Sequence, residues 1–136
     1  PSKASGEGYL GNDTRSVEEI VADDAAIMEK LGVDREKLAD ALTLAFDTAR
    51  NSLSGEAEVR PGVVAEYHES RGKIPSPFRG EGSFEKGDIV LTAGSDQIVV
   101  TRLSIDLIRR HGFFQGKGSP FRIEPETAAR VLGLIS

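Results

Sequence analysis

Apolar residues recur at helical spacing through the first third of the chain. Val17, Ile20, Val21, Met28 and Leu31 share one face, which predicts an amphipathic helix. Ser16-Val17-Glu18-Glu19 opens it with a serine and a glutamate three apart, each able to satisfy the other's free backbone amide. Gly32 closes it, because a left-handed residue costs glycine little. Asp34 then caps a second helix carrying the stripe Leu38, Ala41, Leu42, Ala45, Phe46, Ala49 and Leu53. So short a turn predicts an antiparallel or steeply crossed helical hairpin.

After Ser54-Gly55 the period changes. Val59 to Tyr67 reads as one extended strand interrupted by Pro61, and therefore as an edge or bulged strand. Residues 70–87 read as a long loop punctuated by Gly72, Pro75, Pro77, Gly80, Gly82 and Gly87; loops of that length in compact domains tend to be functional or mobile. Ile89–Thr92 and Ile98–Thr101 flank Ala93-Gly94-Ser95-Asp96, a hairpin pattern. Ser104 reads as the cap of a short helix ending at Arg109-Arg110-His111-Gly112, with cations in the last turn to suit the helix dipole. Phe113 and Phe114 are core candidates. A second loop, 115–120, leads to an extended piece at 121–123, and Pro125 starts a last helix bearing Ala128, Val131 and Leu132.

The predicted fold is α+β: an N-terminal helical hairpin packed on a small, mainly antiparallel sheet of three to four strands, with short C-terminal helices. Residues 1–13, rich in Gly and Ser, form an N-terminal arm to a single domain spanning 14–136, with Tyr9 and Leu10 as its anchors.

Composition changes this picture in three places. The chain has 136 residues, enough for a core without covalent staples, and no cysteine, which excludes disulfides, thiolate metal sites and a cysteine nucleophile. With no apolar run long enough to cross a bilayer and no signal-like apolar start, it reads as cytoplasmic, with no membrane partner. The net charge of −5 argues against nucleic acid, yet it is unevenly spread. Residues 1–58 hold six basic and thirteen acidic residues, whereas 68–122 hold nine basic and six acidic, so an anion would bind in the second half.

That region contains two similar loops. Ser76-Pro77-Phe78-Arg79-Gly80-Glu81-Gly82 and Gly116-Lys117-Gly118-Ser119-Pro120-Phe121-Arg122 both carry Ser-Pro-Phe-Arg beside glycines. Glycines let backbone amides approach an oxyanion, and Arg71, Arg79, Lys117, Ser119 and Arg122 supply donors for one. Against this, Pro-Phe pairs also anchor loops to a core while the cations stay solvated, and neither loop matches a P-loop or dinucleotide fingerprint. In Glu66-Tyr67-His68-Glu69, strand alternation puts Glu66 and His68 on one face, an acid–base pairing to which Glu69 and His111 are the other candidates. Exposed strand polarity is the plainer explanation, and no third group completes a metal site. Residues 26–34 resemble the turn of a helix-turn-helix. Asp34, Glu36, Asp40 and Asp47, however, outweigh Arg35, Lys37 and Arg50, so the second helix would repel phosphates.

Three functions are therefore carried forward. The first is a binding or regulatory module holding a small anionic ligand, or a partner's acidic group, between loops 70–82 and 115–122. The second is a small enzyme with His68 as acid–base group and Arg79 stabilising negative charge. The third is a structural protein forming a homo-oligomer through its N-terminal arm. None calls for a cofactor.

Overall fold

The computed structural model describes residues 8–136. Helix α1 (Val17–Leu31) begins at Ser16 with the reciprocal Ser–Glu cap and ends at left-handed Gly32. Asp34 caps α2 (Arg35–Arg50) by accepting from the Glu36 amide. The helix stops before Leu53, which is fully exposed and takes no part in the buried stripe.

The segment read as one strand is two. β1 (Glu56–Arg60) and β2 (Val63–His68) pair antiparallel across the turn Pro61-Gly62, with a bulge between Glu58 and Arg60. Proline removes a ladder donor and Gly62 adopts φ 79°, so these residues reverse the chain rather than merely bending it. The 70–87 loop contains a small ribbon, β3 (Lys73–Pro75) against β4 (Ser83–Glu85). β5 (Asp88–Ala93) and β6 (Asp96–Thr101) form the hairpin expected from their alternation. The main sheet runs β1-β2-β5-β6, antiparallel throughout. Helix α3 (Arg102–His111) is capped by Thr101, one turn earlier than the sequence pattern placed it. Ser104 is the reciprocal partner three residues in, so the hydroxyl that caps also ends β6. Residues 121–123 form no strand, and α4 (Pro125–Val131) follows.

Two apolar cores result. In the larger, Leu38, Leu42 and Phe46 of α2 pack on the inward sheet positions Val63, Ala65, Ile89, Leu91, Ile98 and Val100, with Ile105 and Ile108 of α3 and Val131 of α4. The smaller gathers Ile20, Leu103, Leu107 and Phe113. Around it pack Tyr9 and Leu10 of the arm and Ile74, Phe78 and Phe84 of the ribbon segment. Each fully buried side chain of this kind stabilises by roughly 1.5–3 kcal/mol, enough to hold down an arm and a ribbon of little intrinsic stability. This second core positions the loops.

Candidate ligand-binding cleft

The arm and loop 115–122 are fitted to each other through backbone. Tyr9 accepts from the Gly116 amide (2.7 Å) and Asn12 donates to the Lys117 carbonyl (2.9 Å). The Lys117 amide donates to Asp13 Oδ2 (3.0 Å), and Arg15 closes the clip with Nε donating to Asp13 Oδ1 (2.9 Å). Hydrogen bonds from Arg15, then from the Lys117 amide, hold the Asp13 carboxyl well below the usual carboxylate range. A Cβ at Gly116 would collide with the Leu10 carbonyl, one at Gly11 with the Ser119 nitrogen, and one at Gly118 with the Asn12 side chain. These glycines do permit close backbone approach, but what approaches is the chain's own arm. The Tyr9 and Leu10 anchors rest against this same chain; residues 1–7 of the arm lie outside the described residues.

Arg122 is likewise occupied. Nη1 and Nη2 donate to the two carboxylate oxygens of Asp24 (2.8 and 3.0 Å), and Nη1 also donates to the Gln115 carbonyl (2.6 Å). Nε and Nη2 donate to Glu124 (2.9 and 3.2 Å). A guanidinium has five N–H donors, and all five are used. Burial works against its charge, but the bonds to Asp24 and Glu124 outweigh that and raise its pKa. Ser119 is buried, its hydroxyl donating to Gln115 Oε1 (2.7 Å). Arg122 and Ser119 thus brace the loop from within. Lys117, Arg79 and Arg71 extend exposed side chains, and Glu69 is exposed as well.

The loops nonetheless converge. Tyr9 bridges them, its hydroxyl donating to the Pro75 carbonyl (3.1 Å) while its own carbonyl holds Gly116. Beside it lies a cleft of about 340 Å³ lined by Tyr9, Ser70, Ile74, Lys86, Asp88, Thr101, Leu103, Gln115 and Phe121. One wall comes from the 70–87 segment, the other from 115–121, and the end of the sheet forms the floor. Of the cations expected to face it, none lines it. Lys86 does, and the ion pairs around it, Arg50–Glu85, Arg102–Glu85 and His68–Asp88, leave it without a partner among the described residues. Gln115 is 3% exposed and is the one non-glycine residue at positive φ (72°) among the described residues. Such a conformation costs of order 1–3 kcal/mol and concentrates where structure serves function. With Oε1 held by Ser119, its Nε2 has no partner among the described residues.

His68 stands at the mouth of the same region. Nδ1 meets Asp88 Oδ1 at 3.2 Å and Nε2 meets Glu66 Oε1 at 3.1 Å. The Asp88 hydrogen bond, supported by Glu66 and opposed by partial burial, raises its pKa. His111 is elsewhere, its Nε2 2.7 Å from Glu81 Oε1 and its ring stacked on Phe78 with centroids 3.7 Å apart. It latches loop 76–82 to the end of α3. Among the described residues no group of three or more histidines and carboxylates is placed to hold a metal ion, and no helix is long and apolar enough to cross a membrane.

Sequence reasoning paired Glu66 with His68 correctly as same-face neighbours, because that needs only strand alternation. It missed Lys86, Asp88, Gln115 and Phe121. Asp88 is linked to His68 only by β2–β5 register, and nothing in the local sequence marks Gln115 as left-handed. Compared with known protein families, curated proteins and solved structures, the chain matches none.

Proposed function

We propose that this domain is a binding module whose ligand is a small molecule with an apolar body and one anionic group, held in the cleft between the two loops. The observation that carries this is the combination of apolar lining (Ile74, Leu103, Phe121) with one ammonium, Lys86, that has no partner among the described residues. Asp88 is hydrogen-bonded to His68, whereas the lysine has no partner among the described residues. Gln115 Nε2 and the hydroxyl of Ser70 provide orienting hydrogen bonds. A chain without cysteine also suits a reducing, cytoplasmic setting, which is part of the same proposal.

The acid–base reading has less support. An imidazole with a carboxylate on each nitrogen favours the imidazolium, which has no lone pair to take a proton from a substrate. His68 is also half exposed, and His111 is committed to Glu81.

The test is a thermal-shift screen with inorganic phosphate, phenyl phosphate, benzoate and longer aryl carboxylates, followed by amide shift mapping. Ligands that bind the native state alone raise the melting temperature. Aryl anions should outperform inorganic phosphate, move the amides of Ser70, Ile74, Lys86, Gln115 and Phe121, and lose binding in Lys86→Ala but not in Arg79→Ala. Binding that survives Lys86→Ala would defeat the proposal, as would a panel that produces no shift at millimolar concentration.

A further inference from the structure

The inner face of the main sheet is covered by α2; the outer face meets the cleft at its Asp88–Thr101 end, and its middle carries no helix or strand among the described residues. Its outward positions follow from strand register. They are Glu56 and Glu58 on β1, Val64, Glu66 and His68 on β2, Asp88, Val90 and Thr92 on β5, and Gln97, Val99 and Thr101 on β6. Val64, Val90 and Val99 are contiguous, since Val90 lies opposite Val99 and diagonal to Val64, and all three are partly exposed. None belongs to either apolar core. Three β-branched residues in mid-sheet thus form an apolar strip outside both cores of the described residues, bordered at Val99 by Pro120 and Thr127.

The ionised side chains on the outward sheet positions are acidic apart from His68. Four carboxylates occupy outward positions (Glu56, Glu58, Glu66, Asp88), while no Lys or Arg does. Arg60, at the end of β1, turns away to donate to the Val131 carbonyl (2.9 Å). Glu56 and Glu66 are direct cross-strand partners, an arrangement that destabilises an isolated sheet. His68 relieves Glu66 and Asp88 but reaches neither glutamate of β1. Beyond β6 a groove lined by Gln97, Val99, Pro120 and Thr127 continues the surface; its carboxylates Asp96 and Glu124 are paired with Arg130 and Arg122 and add no free charge.

We infer that this face docks a basic amphipathic helix of a partner protein, its apolar side on Val64, Val90 and Val99 and its flanking lysines or arginines against the glutamates. Four strands spaced about 4.8 Å apart span roughly 15 Å, wide enough for one helix about 10 Å across. A second copy is disfavoured by the same charges, because face-to-face pairing would bring the carboxylates together without counter-ions. Nucleic acids and anionic membranes are repelled for the same reason.

The probe is an 18-residue helical peptide of Leu and Lys with all leucines on one face, titrated into the ¹⁵N-labelled full chain. The expected result is saturable shifts at Val64, Glu66, Val90, Thr92 and Val99, weakened at least tenfold by Glu56→Lys/Glu66→Lys and by Val90→Ser. Should the lysine pair disturb folding by circular dichroism, Glu56→Gln/Glu66→Gln makes the same comparison without introducing positive charge. A permuted peptide of equal charge but no apolar face should bind at least tenfold more weakly. Equal binding by that peptide, shifts confined to other surfaces, or no binding would overturn the inference. So would a concentration-dependent dimer mapping to the three valines.

Discussion

Removing Asp24 should destabilise this protein more than removing any other single carboxylate. Asp24 lies on α1 and is 1% exposed, and the Arg122 side chain that it contacts is 6% exposed. Asp24→Ala deletes two charge-assisted hydrogen bonds and the main counter-charge of a guanidinium that is largely buried. Breaking a buried pair by deleting one member typically costs 3–5 kcal/mol. Here Glu124 keeps its bonds to Arg122, but at 57% exposure its attraction is screened. The low end, about 3–4 kcal/mol, is therefore expected. With an unfolding entropy of about 2.1 cal/mol/K per residue, that corresponds to a melting temperature lower by roughly 10–14 °C. Calorimetry supplies that shift, and urea titration supplies the free energy without the ionic screening of guanidinium. The double variant Asp24→Leu/Arg122→Met should be clearly more stable than Asp24→Ala, since it leaves no buried charge unpaired. A loss below about 1 kcal/mol in Asp24→Ala, or a double variant as unstable as the single one, would refute the reasoning.

Three further outcomes follow from the same structure. His68 should titrate by NMR above its ordinary value of 6.5 and move down in Asp88→Asn. Because its folded pKa is raised, its pairing stabilises the fold fully below that ordinary value and loses this effect as pH rises through the folded pKa; a titration at or below 6.5 would contradict the two-carboxylate geometry. Gly116→Ala, at a φ open to any residue, should free the arm, seen as faster amide exchange at Asn12 and Gly116 with a cost of roughly 1–3 kcal/mol. Unchanged protection there would mean the arm is not docked as described. Leu53→Ser should change stability by less than about 0.5 kcal/mol, whereas Phe46→Ala should cost about 3–5 kcal/mol; chemical denaturation of both checks that the apolar stripe ends inside α2.

Local signals along the chain were enough for the helices, the β5–β6 hairpin and the α+β class. Ser16, Gly32, Asp34 and Gly112 act on neighbours a few residues away, and alternation at 89–92 and 98–101 needs only the pleat. The same locality explains the errors. Pro61 alone signals an interrupted strand, because a turn and a bulge use the same residue types, and only β1–β2 pairing distinguishes them. Leu53 keeps the helical spacing, but the chain turns before reaching it.

The candidate site depended almost wholly on contacts between distant residues. Arg122, Ser119 and the glycines of loop 115–122 have the composition of an anion site. Whether such groups are free depends on what else the fold brings within 3 Å, and here Asp13, Asp24, Glu124 and the arm backbone reached them first. Lys86, unremarkable in sequence, lines the cleft with no partner among the described residues because its neighbours found other partners. Residue type sets which interactions are available, and short-range geometry sets the elements. Which donors are left over for a ligand is a property of the whole packed chain, because each hydrogen-bonding group is used by whichever partner tertiary structure places nearest.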